Sequence, residues 1–351
     1  MKNSLLLIAC LFSCASLFGQ DEAPDAPVAA WPSEPIPTRK VLAHDPVMAR
    51  DGDKYYVFTT GPGITVWVSG DMKTWLRRPA LFDPYPAWVP VAIPNFAGHM
   101  WAPDISYHDG RYYLFYSVSA FGKNTSAIGL ATNTTLDSEN PDYQWIDHGA
   151  IIQSYPGLTN WNAIDAALAE DVDGTPYLAF GSFWSGLKIV EMTPDRLHLA
   201  GCWNDLQTIA SRIPHPDAPQ PAGGYSASAG PGEIEAPFLF RHDGKFYLFA
   251  SIDKCCRGAE SNYKVIVGRS DNIKGPYLDR EGVPLLEGGG TVIITGDEDW
   301  YAAGHNAVYT FDGTDYIVYH GYDASTERGL PRLRINELAW DQDGWPVVVP
   351  D

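Results

Sequence analysis

Hydrophobic and polar positions alternate along most of this chain in short runs, and the runs come in pairs. Between Val47 and Phe58 an apolar stretch, an Asp-Gly pair at 51–52 and an aromatic stretch read as two strands joined by a tight hairpin. The phrase returns four times, as WAPDISYHDGRYYLFYS from Trp101, IDAALAEDVDGTPYLAFGS from Ile164, EAPFLFRHDGKFYLFAS from Glu235 and GHNAVYTFDGTDYIVYHGY from Gly304. Aligned on the tyrosine after each turn, Tyr56, Tyr113, Tyr177, Tyr247 and Tyr316 fall in register, roughly 57 to 70 residues apart. A third apolar segment follows in each unit, at 64–71, 127–133, 187–193, 264–270 and 333–340. An aromatic segment usually comes next, as at Trp75, Trp145 and Tyr277. Five units of about four strands predict an all-β, five-bladed β-propeller over residues 40–351. Insertions at 83–100, 150–163 and 211–234 are expected to line a binding face.

The same register predicts a site. The first strand of each propeller blade lies beside the central axis, so its opening residue faces the shared channel. Counting back eleven residues from each aligned tyrosine, or twelve in the third unit, gives Asp45, Ala102, Asp165, Ala236 and His305, with Glu235 immediately before Ala236. Asp45, Asp165, Glu235 and His305 are thereby expected to meet at one mouth. Taken singly, each has an ordinary explanation. Asp45 before Pro46 suits a turn, Asp165 suits a side-chain cap, Glu233 and Glu235 suit solvated charge, and His305 suits a satisfied buried ring. A shared register weakens all of these together.

Three carboxylates around a histidine must bind a cation, share protons or hold different ionisation states. A protonated carboxyl beside an ionised one is what hydrolysis of a glycosidic bond requires. Asp104, two residues into its strand, is expected to bond across blades in support. Trp101, Phe121, Phe183 and Trp184 lie near the same mouth and offer faces on which sugar rings stack, with blade packing as the alternative use.

A net charge of -19 argues against nucleic acid and anionic membrane surfaces as partners, and 45% hydrophobic with 13% aromatic content supplies an ample core. Residues 1–19, from MKNSLLLIACLFSCASLFG, have the layout of a secretory signal; Leu11-Phe12-Ser13-Cys14 resembles a lipoprotein box and leaves a lipid-anchored surface form open. The apolar run is too short to span a bilayer. Residues 20–39 read as a Pro-rich leader, and a secreted or periplasmic monomer is the default expectation. Cys202, Cys255 and Cys256 remain beyond the signal, an odd count with no metal spacing, so at least two free thiols are expected.

HDPV at 44–47, WAPDISY at 101–107, NAIDA at 162–166, SFWSGLK at 182–188, EAPF at 235–238, DKCCRG at 253–258, VGRS at 267–270 and GHNAVY at 304–309 together resemble family 43 glycoside hydrolases, specifically the endo-1,5-α-L-arabinanases. The resemblance covers about residues 40–351. It implies a five-bladed propeller and an inverting mechanism, with Asp45 as general base, Glu235 as general acid and Asp165 raising and orienting the acid. It also implies that His305 helps to hold a calcium ion, or another cation through waters, in the axial channel. His44 and Asn162 lie in the same motifs and join Trp101, Phe121, Phe183 and Trp184 as substrate-contact candidates. The chain has NAIDA where arabinanases carry NAIDP, a change expected to affect backbone stiffness more than chemistry. The implied substrate is arabinan, cut at internal bonds. An exo-acting α-L-arabinofuranosidase or β-xylosidase is the alternative on the same fold. A glycan-binding propeller without catalysis is a further one, against which the presence of all three acids counts.

Overall fold

The computed structural model describes residues 34–350. The signal assigned to 1–19 and most of the leader lie outside the described residues. Five antiparallel sheets follow one another in chain order, and each runs from an inner strand to an outer one. Blade 1 holds Val47–Asp51, Lys54–Thr59, Thr65–Ser69 and Thr74–Arg78. Ile36–Pro37 adds a fifth strand at its rim, pairing with Trp75 and Thr74, so the propeller starts ahead of residue 40, inside the segment read as leader. Blade 2 holds His99–His108, Arg111–Ser119, Ser126–Asn133 and Ile146–Ser154; blade 3 holds Ala167–Glu170, Pro176–Phe180, Leu187–Glu191 and Gln207–Ala210. Blade 4 holds Ile234–His242, Lys245–Ile252, Lys264–Ser270 and Thr291–Ile294; blade 5 holds Trp300–Phe311, Thr314–Asp323, Leu330–Trp340 and Pro346–Val348.

The second and third strands are buried on both faces, as along Thr65–Ser69 and Ser126–Asn133, because radial sheets pack against neighbours on either side. That is why these strands read as continuous apolar runs rather than as strict alternation. The turns match the Asp-Gly signal. At Asp109–Gly110, Asp243–Gly244 and Asp312–Gly313 both residues lie at positive φ, which a two-residue hairpin demands. The ring closes where residues 41–43 lie along blade 5: Leu333 N–H donates to Val41 C=O at 3.0 Å and Ala43 N–H to Pro331 C=O at 3.3 Å.

One backbone feature repeats five times. Asp45, Ala102, Asp165, Ala236 and His305, the residues that share a register position, all have left-handed φ, at 52°, 35°, 59°, 54° and 54°. For non-glycine residues this costs about 1–3 kcal/mol each and persists only where surroundings enforce it. The enforcement comes from the neighbouring blade. The Ala102 N–H donates to Thr60 Oγ1 (2.8 Å), Asp165 N–H to Ser117 Oγ (3.0 Å), His305 N–H to Ser251 Oγ (2.8 Å) and Asp45 N–H to His320 Nδ1 (3.1 Å). Thr60, Ser117, Ser251 and His320 each stand four residues after the aligned tyrosine of their own blade. Blade 3 has Gly181 at that position, and there the Asp165 carboxylate takes the Ala236 N–H instead, at 3.2 Å.

Ser251 is fully buried. Ser251→Ala leaves the His305 N–H without a partner and is expected to cost about 1–3 kcal/mol, read as a lower urea midpoint at unchanged slope; an unchanged midpoint would show that the clasp carries no stability.

Candidate active site

The kinks turn the predicted residues into one cleft of about 530 Å³. Its lining includes His44, Asp45, Trp101, Phe121, Asn162, Asp165, Phe183, Trp184, Glu235 and His305, so every candidate from the sequence reaches the same cavity. A groove of similar size beside Trp203 and His198 lies apart from all of them.

Asp45 is held by both oxygens. Thr60 Oγ1 donates to Oδ2 at 2.5 Å, and His305 Nδ1 lies 3.0 Å from Oδ1, with His44 Nδ1 at 3.8 Å. Burial pushes the Asp45 carboxyl up, but the charge and hydrogen bonds of His305 and His44 outweigh it and hold Asp45 well below the usual carboxylate range. For His305, burial favours the neutral ring; Asp45 first, then Asp165 and Glu235, overcome it and push the imidazole up to about 9. Asp45 and His305 therefore form an ion pair at neutral pH.

The other two acids go the opposite way. Burial raises Glu235, against the hydroxyls of Tyr263 and Ser182, which donate to Oε1 at 2.7 Å and Oε2 at 2.8 Å. Burial likewise drives Asp165 well above its usual range; the pull of His305 is offset by the negative charge of Glu235 and Asp45. Asp165 Oδ2 accepts the N–H of the peptide bond joining Glu235 to Ala236, so it fixes the backbone on which Glu235 stands. The result is one ionised carboxylate and a raised pair in one cleft.

The supporting residues have separate tasks. Asp104 Oδ2 accepts the Leu168 N–H at 2.9 Å, the cross-blade bond expected of it, and burial raises it to about 7. Asn162 is buried and accepts from Ser126 Oγ at 2.6 Å. Phe121 is 74% exposed and meets the edge of Trp101. Trp184 lines the cleft, yet it is mostly buried and donates to Ser226 C=O at 2.8 Å, anchoring the 211–234 insertion. That insertion reaches blade 2, where the Ala229 N–H donates to Gly122 C=O at 3.1 Å and Lys123 Nζ to Ser228 Oγ at 2.6 Å, and so walls the cleft on that side.

The expectation of at least two free thiols is corrected. Cys255 and Cys256 are joined in a disulfide that lines the cleft, and Cys202 alone is free among the described residues. A ring of adjacent cysteines needs an unusual backbone, and the loop supplies it by holding Cys256 at φ 65°. Sequence reasoning also missed Thr60, Ser182, Tyr263 and His320. Thr60 and His320 were findable, because they occupy the repeated position after the aligned tyrosine; Tyr263, just ahead of a third strand, carries no repeat signal.

Two sets of donors at the cleft bear on a cation. His44, Asp45 and His320 bring three donor atoms within 4.8 Å of one another. The Nδ1 lone pair of His320 is taken by the Asp45 N–H, which removes that nitrogen as a ligand. His305 fits better. Its Nδ1 is engaged by Asp45, leaving Nε2, and the adjacent Asn306 is buried with neither amide atom partnered by protein. A buried amide in that state calls for water or an ion. A single imidazole nitrogen facing the cleft suits a cation that keeps most of its water, not one caged by protein oxygens.

Residues 35–346 match the sequence model of Glycosyl hydrolases family 43. The chain belongs to that family. It is 45% identical over 312 residues to the extracellular exo-α-(1→5)-L-arabinofuranosidase ArbA of Cellvibrio japonicus, covering 88% of this chain and 87% of that one. It is 41% identical over 309 residues to the extracellular endo-α-(1→5)-L-arabinanase 1 of Bacillus subtilis, covering 87% of each. Among solved structures it resembles the Cellvibrio cellulosa α-L-arabinanase complexed with arabinohexaose, with a TM-score of 0.83 and 44% identity over 88% of this chain and 96% of that one. The family-43 assignment agrees with the propeller and with the cleft at its axis.

Tyr263→Phe removes a donor to ionised Glu235, so the Glu235 carboxyl is expected to titrate at higher pH than in the wild type. Carbon-13 NMR of labelled glutamate follows this directly; a downward shift would show that Tyr263 does not stabilise the ionised form.

Proposed function

We propose that this family-43 chain is an exported arabinan hydrolase that cleaves internal α-1,5-L-arabinofuranosidic bonds with inversion. The observation that carries the proposal is the contrast, within one cleft, between Asp45, paired with His305 at 3.0 Å and held low, and Glu235, buried and raised. Asp45, kept ionised by His305, serves as the general base that takes a proton from water as the water attacks the anomeric carbon. Glu235, its carboxyl raised by burial, gives its proton to the departing glycosidic oxygen. Asp165 orients Glu235 through the Ala236 N–H, while burial and the negative charge of Asp45 raise the Glu235 carboxyl. Inverting glycosidases pair an acid and a base in this way.

Internal cleavage is supported by where the lining comes from. Trp101 and Phe121 belong to blade 2 and Lys254 and Arg257 to blade 4, two blades that do not adjoin, so groups for sugar contact stand on both sides of the axial carboxylates. His44, Asn162 and Phe183 complete the contacts between those flanks. Exo action is the second reading, favoured by the Cellvibrio japonicus relative and by the 211–234 wall that closes one side. Export is supported by two relatives named as extracellular, and no helix among the described residues is long and apolar enough to cross a membrane.

A calcium ion or another hydrated cation held at His305 Nε2 would take the place of the proton on that nitrogen, supplying fixed positive charge beside the carboxylates while Nδ1–H stays on Asp45.

Linear 1,5-α-arabinan incubated with the mature protein is expected to yield mixed oligosaccharides early, and arabinose alone would establish the exo reading. In the same assay Glu235→Gln is expected to lose roughly 10²–10⁴-fold on arabinan and much less on an aryl glycoside whose leaving group needs no proton; equal losses would remove Glu235 as the acid. Chelation is expected to lower the unfolding temperature or the turnover, with recovery on adding calcium. Identical melting and activity before and after chelation would discard the cation.

A further inference from the structure

The Cys255–Cys256 disulfide lines the cleft but has no part in the chemistry above. Cys255 packs against Tyr263, Ala302 and Tyr322, while Cys256 is exposed toward the cavity. At φ 65° the Cys256 N–H donates to the Tyr322 hydroxyl at 2.7 Å. The same hydroxyl lies 3.3 Å from His320 Nε2. His320 is fully buried, and its Nδ1 accepts the Asp45 N–H, so Nδ1 carries no proton. A neutral ring then bears its proton on Nε2 and donates it to Tyr322. An unbroken series of hydrogen bonds thus runs from the disulfide loop to the backbone of Asp45.

We propose that the Cys255–Cys256 disulfide is a positioning element for Asp45, acting through Tyr322 and His320. The proposal rests on the reading of Asp45 as general base. Ring closure holds Cys256 in a left-handed conformation that a free cysteine leaves readily. In that conformation its N–H pins the Tyr322 hydroxyl, which in turn fixes the His320 tautomer whose Nδ1 receives the Asp45 N–H. The clasps of the other blades use a hydroxyl, or in one case a carboxylate, and a hydroxyl can reorient its own proton. An imidazole accepts at Nδ1 only in one tautomer, so this clasp alone depends on a partner at the far side of its ring.

The test uses the mature protein with Cys202→Ser, which removes the one other thiol outside the cleft. Dithiothreitol passes two electrons and two protons to the disulfide, leaving two cysteine thiols and its own cyclic disulfide. Native protein is expected to show no reactive thiol and reduced protein two. On reduction, amide exchange at Asp45 is expected to speed up roughly tenfold or more while exchange at Ala102 and Asp165 stays unchanged. Turnover on arabinan falls about fivefold or more with KM within about twofold, and reoxidation restores both. Tyr322→Phe is expected to start from fast Asp45 exchange, with reduction adding nothing further. Two reactive thiols in the native protein, unchanged Asp45 exchange after reduction, or unchanged turnover on a substrate the wild type cleaves would each overturn the proposal. Exchange needs no substrate. A wild type that leaves arabinan intact while Asp45 exchange still follows the disulfide would remove the enzymatic reading and keep the positioning one.

Discussion

The structure depends on a ring of backbone N–H groups, each held by a side chain of the adjacent blade while its own residue sits in a left-handed conformation. Without that kink the residue at this position of each inner strand would continue the strand and bury its side chain between sheets. With it, the residue tips into the axial cavity. The kink is unfavourable for Asp, Ala and His alike, so each needs an acceptor from outside its own blade. The same bonds therefore join the blades and build the cleft.

Crowding then dictates the chemistry. Three acids behind one low-dielectric wall cannot all ionise, and a single imidazolium decides which does. His305 lies 3.0 Å from Asp45, and the charge goes there. Asp165 and Glu235 are left to burial first and then to negative charge, that of Glu235 and Asp45 on Asp165 and that of Asp45 on Glu235, which favours their protonated forms. Which carboxylate carries the charge is decided by which one the histidine touches, although all three acids occupy related places in a five-fold repeat.

Most of this was legible in the sequence because a propeller writes its geometry as a repeat. Five tyrosines in register gave the blades, and a fixed offset from them gave Asp45, Asp165, His305 and the neighbour of Glu235. The offset says which residues meet, but not which of them carries a proton, since that depends on contacts such as those of Tyr263 and Ser182 that no period encodes. The cysteines misled for a related reason. Vicinal pairing is unfavourable in an ordinary backbone, and only the folded loop shows that Cys256 has left ordinary backbone. The start of the propeller was hidden by proline content, because Ile36–Pro37 reads as leader while it serves as a rim strand, a position where proline is tolerated.

The asymmetry of the site traces to one glycine. In blades 1, 2, 4 and 5 the residue four places after the aligned tyrosine supplies the clasp for the next blade. In blade 3 it is Gly181, at φ 129°, and a Cβ there would stand 2.7 Å from the Gly186 carbonyl oxygen, so no side chain fits. The Ala236 N–H must find its acceptor elsewhere and takes Asp165, which lies one blade back in the same register. Asp165 is thereby drawn against the peptide of Glu235. A gap in the structural ring thus places a second carboxyl group beside Glu235, and that proximity helps to keep a proton in the cleft.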